Sequence, residues 1–142
     1  MPNYWLVKTE PSVYSYDDLV RDKRTVWDGV TNFAALKHMR AMKKGDLVYV
    51  YHSGNEKAVV GIAQIARPAY PDPQKDDDRI VVVDLVPKRR LSRPVTLGQI
   101  KAHTAFASFP LVRIPRLSVM PVEKKLWDLI LKMSQGDRTT EA

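Results

Sequence analysis

Lys8, Thr9 and Glu10 set an ammonium, a hydroxyl and a carboxylate side by side in the chain. Such a triplet can hold a polar ligand. If burial lowered the lysine pKa and raised that of the glutamate, it could also exchange protons with one. A plainer reading is a solvated ion pair, with Lys8 and Glu10 pointing the same way along a strand. A second cluster follows at Trp27, Asp28, Gly29, Val30 and Asn32. There an indole stands where a short strand meets a turn, positioned to face a pocket and stack on a planar ligand. On residue type alone, a lone tryptophan is more often core and an asparagine opening a helix more often a cap. Other chemistries lack their signatures. There is no phosphate-cradling glycine motif, no H-E-x-x-H and no G-x-S-x-G. His38, His52 and His103 lie far apart, and the chain has no cysteine. Neither a metal nor a cofactor is expected.

The elements that must position these groups follow from pattern. Tyr4 to Val7 is aromatic and β-branched, as in a buried strand, and Pro11 forces Glu10 into an extended conformation and ends it. Ser15 is placed to cap a short helix running to about Arg21, and Thr25 to Trp27 reads as a strand. Asp28-Gly29 turns the chain into a helix from Asn32 to Met42, stopped by Gly45. Asp46 to His52 and Ala58 to Ala66 predict a hairpin, with Gly61 marking a bend or a close backbone approach. Pro68, Pro71 and Pro73 predict a long loop before a strand at Ile80 to Val86. A helix capped by Thr96, a loop holding Phe106, Phe109 and Pro110, a strand near Leu117 to Met120 and a helix over Val122 to Met133 complete the chain. Trp5 and Trp127 are assigned to the core. The fold class is α+β, a small mixed barrel with helices against its outside, in one domain over 1–133. Residues 134–142 are expected to form a polar, disordered tail.

Of 142 residues, 44% are hydrophobic and 27% charged, the balance of a globular chain. The 23 Lys and Arg against 16 Asp and Glu leave a net charge of +7, which favours a polyanionic partner. Lys37, Arg40, Lys43 and Lys44, with Arg89 and Arg90, are the candidate phosphate contacts. No apolar run reaches membrane-spanning length, and Met1 to Asn3 leads straight into a strand, so a cytoplasmic location and no membrane partner are expected.

Several motifs occur together and in order: Tyr4-Trp5-Leu6-Val7-Lys8-Thr9-Glu10-Pro11, Trp27-Asp28-Gly29-Val30-x-Asn32, Arg40-Ala41-Met42, Gly45-Asp46, Tyr51-His52-Ser53, Gly61-Ile62-Ala63, Tyr70-Pro71-Asp72 and Arg116-Leu117-Ser118-Val119-x-Pro121-Val122. From about Asn3 to Met133 the chain resembles the EVE domain. The resemblance implies a PUA-like fold, a small β-barrel with surrounding helices, related to the YTH domains that read methylated adenine in RNA. It also implies recognition of a modified base, notably modified cytosine, in DNA or RNA. Carried over, the base-binding residues are Lys8, Thr9, Glu10, Trp27, Asp28, Gly29, Val30, Asn32, His52, Ser53, Arg116, Leu117 and Ser118. The chain departs from the usual family pattern over Thr31 to His38, where several polar groups are replaced.

The expected function is therefore a non-catalytic nucleic-acid-binding module that accommodates one modified base in an aromatic pocket. A different class stays open: a small hydrolase of modified nucleosides, as in the related ASCH domains, using Lys8, Thr9 and Glu10. A structural RNA-binding module without base selectivity is a third reading, marked by a steep salt dependence and indifference to Trp27.

Overall fold

The computed structural model describes residues 3–135. Its strands are β1 (Tyr4–Thr9), β2 (Thr25–Trp27), β3 (Leu47–His52), β4 (Ala58–Pro71), β5 (Val81–Thr96) and β6 (Val119–Pro121). They form one mixed sheet in the order β2-β5-β4-β3-β1-β6, curved into a half-barrel. β1 and β3 run parallel, and every other neighbouring pair is antiparallel. Five helices surround it: α1 (Tyr16–Asp22), α2 (Phe33–Ala41), α3 (Leu97–Lys101), α4 (Pro110–Arg113) and α5 (Lys124–Ser134).

The helix starts follow the cap chemistry. Ser15 and Asp18 make a reciprocal capping box on α1, and Thr96 and Gln99 make another on α3. Asn32 caps α2 through Oδ1, which accepts from the Ala35 N–H at 3.0 Å. A cap of this kind contributes about 1 kcal/mol. The close approach expected at Gly61 is made by Tyr16: a Cβ at Gly61 would collide with its ring. The Tyr16 hydroxyl donates to the Ile62 carbonyl at 2.7 Å, so α1 docks directly on β4.

Two strands are longer than their sequence suggests. β4 continues through Pro68 to Pro71, where a loop was expected, and β5 continues past Val86 through Pro87 and Pro94. The prolines fit because the ladder leaves their missing N–H without consequence. β3 pairs with β4 only as far as Gln64, and β2 covers only Val83 to Leu85 of β5. Register shifts also interrupt the β4–β5 ladder around Ala63 and Arg67, and such bulges bend a sheet. α4 was expected as loop. Pro110 opens it at a position where its missing N–H costs nothing.

The core end of the half-barrel is aromatic. Trp127 of α5 stacks on Tyr49 at 3.6 Å, and the Tyr49 hydroxyl donates to the Trp127 carbonyl. The Trp5 indole N–H donates to Asp46, which also accepts from the Asn3 and Lys43 backbones. Ser134 is buried and closes α5 with its hydroxyl on the Leu131 carbonyl. The rest of the expected tail, 136–142, lies outside the described residues.

Candidate functional site

Where β1 leaves the sheet, Pro11 starts a turn in which the Val13 and Tyr14 N–H groups both donate to the Glu10 carbonyl. The Thr9 hydroxyl donates to the Tyr14 carbonyl at 2.6 Å and holds Tyr14 back over the strand end. From the other side, β2 pairs with β5 and delivers Thr25, Val26 and Trp27. Gly29, at φ +81, then swings the chain away into Val30. The Lys8 N–H donates to the Ser118 carbonyl and fixes the residue before β6.

Together these segments enclose a recess of about 460 Å³, lined by Lys8, Thr9, Val13, Tyr14, Thr25, Val26, Trp27, Asp28, Gly29, Val30 and Ser118. That volume falls in the range of small-molecule sites, about 300–1,000 Å³. Trp27 is 7% exposed, and Tyr14 stands edge-on to its ring, 6.2 Å away at 84°. The two rings thus form a right-angled corner. Burial raises the Tyr14 pKa, against the lowering hydrogen bond of Thr25 and with a further rise from Asp22, so the phenol stays neutral. Val13 and Val26 are exposed apolar residues on the lining.

Lys8 reaches beyond this recess. Its ammonium donates to the Pro115 carbonyl at 2.7 Å and lies 5.8 Å from the Tyr51 ring centroid. Pro115 and Tyr51 both line a second recess of about 360 Å³, together with Lys8 and Ser53. Burial lowers the Lys8 pKa from its usual value.

The structure therefore gathers Lys8, Thr9, Trp27, Asp28, Gly29, Val30 and Ser118 around the first recess, and leaves the other expected contacts elsewhere. Glu10 accepts from the Ser12 N–H and hydroxyl and packs against Gly54. Asn32 is engaged as the α2 cap. His52 is buried, its Nε2 accepting from the Tyr16 N–H, so its proton sits on Nδ1 and is donated to Glu56. Ser53 lines the second recess. Leu117 is core and Arg116 is exposed. Of the expected phosphate contacts, Lys37, Lys43, Lys44 and Arg89 are exposed, Arg40 is exposed and donates to the Arg79 carbonyl, and Arg90 pairs with Asp17. Val13, Tyr14, Thr25 and Val26 were missed. Tyr14 follows the Pro11 turn and Thr25-Val26 precede the flagged indole, and neighbourhood to those two landmarks was the available signal.

The sequence profile of the EVE domain matches residues 3–133. The chain belongs to the EVE domain family. An NMR structure from Rhodopseudomonas palustris is 44% identical to this EVE protein, with a TM-score of 0.89 over 94% of this chain and 93% of that one. Mouse thymocyte nuclear protein 1 is 32% identical across 96% of this chain and 76% of its own length. Human THYN1, solved in complex with 5-methylcytosine-containing DNA, is 29% identical with a TM-score of 0.86, covering 94% of this chain and 98% of that one. The PUA-like architecture of this EVE domain extends to an ASCH protein of Zymomonas mobilis, which at 11% identity and a TM-score of 0.58 shares the fold. Among the described residues of the domain, no helix is long and apolar enough to cross a membrane.

Proposed function

We propose that this EVE domain is a non-catalytic nucleic-acid-binding module that takes a single modified base, with 5-methylcytosine the first candidate, into the recess beside Trp27. The observation that carries the reading is the base-sized cavity flanked by an indole and an edge-on phenol, in a domain whose human relative was solved with 5-methylcytosine DNA. A net charge of +7 supplies the sequence-blind attraction to phosphates. The base stacks against the aromatic corner, an interaction worth about 1–3 kcal/mol. Cytosine's exocyclic amine needs an acceptor, and the Asp28 carboxylate on the lining provides one; the Ser118 hydroxyl can donate to one of the base's acceptors. Asp28 takes the part that the sequence assigned to Glu10, whose carboxylate is committed to Ser12. Val13, Val26 and Val30 give the methyl group an apolar wall. One buried methyl adds about 0.8 kcal/mol, roughly fourfold in affinity.

The hydrolase reading is less well supported. The Lys8 ammonium is on Pro115, the Thr9 hydroxyl on Tyr14 and the Glu10 carboxylate on Ser12, three separate directions with no shared reacting point. Mass analysis after incubation with 5-methylcytidine separates the two, and turnover would favour the enzyme.

The test of the reader is titration of single-stranded oligonucleotides, identical but for one central cytosine or 5-methylcytosine, by fluorescence anisotropy. Trp27→Leu keeps apolar bulk and removes the stacking face. It should weaken both complexes by about 5- to 150-fold, the stacking energy expressed as affinity, with circular dichroism unchanged. Undiminished binding removes the stacking claim, and equal wild-type affinity for the two oligonucleotides removes the methyl claim.

A further inference from the structure

We infer that the second recess binds the backbone phosphate adjoining the base held beside Trp27, an inference that rests on the reading above. Lys8 lines both recesses, so the two adjoin across a single side chain, and a strand with one base in the first has its backbone beside the second. Three lysines, Lys8, Lys57 and Lys101, line this cavity, and no carboxylate residue does. Lys57 and Lys101 form no ion pair among the described residues. The nearest acids are otherwise engaged: Glu10, against Gly54, accepts from Ser12, and Glu56 accepts from His52. An anion entering this recess meets three lysines and no carboxylate on its lining.

The backbone fixes where Lys57 stands, at the close of the β3–β4 turn. Lys57 has φ +49, a left-handed conformation rarely adopted by a residue with a long side chain. The conformation is held by the Leu97 N–H, which donates to the Lys57 carbonyl at 2.8 Å. This bond ties the turn that carries Lys57 to the start of α3, which ends in Lys101, and both lysines line the recess. The lower wall is Tyr51, Leu97 and Leu111, an apolar surface against which a sugar can lie. A phosphodiester, charged on one side and carbon-rich on the other, matches that division.

The experiment uses the double variant Lys57→Asn and Lys101→Gln, asparagine being a residue that tolerates the left-handed conformation. Binding of the same methylated and plain oligonucleotides is followed across salt concentrations. Loss of one single-stranded phosphate contact should reduce the slope of log K against log salt by about 0.7, equally for both oligonucleotides. A neutral methylphosphonate linkage is then moved along the strand one position at a time. At the linkage next to the central base it should weaken wild-type binding and leave the double variant unaffected. An unchanged slope, or a neutral linkage equally harmful to both proteins, overturns the proposal. Failure of the base-reading claim is distinguishable, because it removes the preference for methylcytosine while the slope difference between wild type and variant stays.

Discussion

Trp27 and Trp127 mark two parts of the molecule, an open end at the edge strand β2 and a sealed end where helix α5 covers the sheet, and they are almost equally buried at 7% and 4% exposed. Their surroundings differ. Trp127 is enclosed by aromatic rings, stacked on Tyr49 at 3.6 Å and 20° and tilted against Tyr4 at 4.8 Å. Trp27 has one aromatic neighbour, Tyr14, standing edge-on, and a cavity of about 460 Å³ beside it. Fractional burial therefore says little about what an indole is for. What separates a structural ring from a candidate platform is whether space for another planar group adjoins it.

The largest expected effect is at the sealed end. Trp127→Ala removes a fully packed ring and should destabilise the domain by about 3–5 kcal/mol, read as a lower urea midpoint. The fraction that remains folded should bind the methylated oligonucleotide as wild type does. Trp27→Leu should show the reverse balance, losing more in binding than in unfolding free energy. If both variants lose stability and affinity in the same proportion, the contrast between the two ends is broken.

How much of this contrast the chain announces in advance depends on the kind of signal. Cap chemistry is local, so Ser15, Asn32 and Thr96 marked their helices correctly. Strand length is not local. Pro68, Pro87 and Pro94 look like breakers until the sheet order shows that they lie where one neighbour is missing or a bulge intervenes. At the site, Lys8-Thr9 and Trp27 to Val30 were legible because a strand end and a turn both leave the sheet at predictable residues. Side-chain direction was not legible. Glu10 carries the right chemical groups, yet its carboxylate turns back to Ser12, a choice made by the Pro11 turn and the Gly54 backbone. Val13 and Tyr14 enter the recess through that same turn, whose path no periodicity encodes.

The wall of the open end can be probed separately through Asp84. It lies opposite Val26 in the β2–β5 register and accepts from Arg24 at 2.8 Å and Tyr70 at 2.5 Å. Burial pushes its pKa up, but the hydrogen bonds from Tyr70 and Arg24 outweigh this and hold the carboxyl below its usual 3.8. A depressed carboxyl contributes stability that is present above the unfolded value and lost as pH falls through the folded one. Asp84→Ala should cost about 1–3 kcal/mol at neutral pH, since it strands two polar partners. It should also flatten the acid limb of the stability curve below about pH 4. A variant whose acid limb matches wild type would mean that Asp84 does not brace β2.

The smallest effect is the one that best separates binding from folding at the open end. Burial lowers the Lys8 pKa below 10.5, so between that lowered value and 10.5 the unfolded chain holds more protons than the folded one. Stability must then rise with pH across this window, because the charged lysine is the form that the fold disfavours. Affinity for nucleic acid must fall across the same window, because the ammonium beside Pro115 is the form that attracts phosphate. Lys8→Met removes the Lys8 share of both trends at once. Urea midpoints and oligonucleotide titrations over the alkaline range should therefore run in opposite directions for wild type, and both slopes should become shallower in the variant. A wild-type affinity that does not fall across this window would mean that the Lys8 charge takes no part in holding the strand.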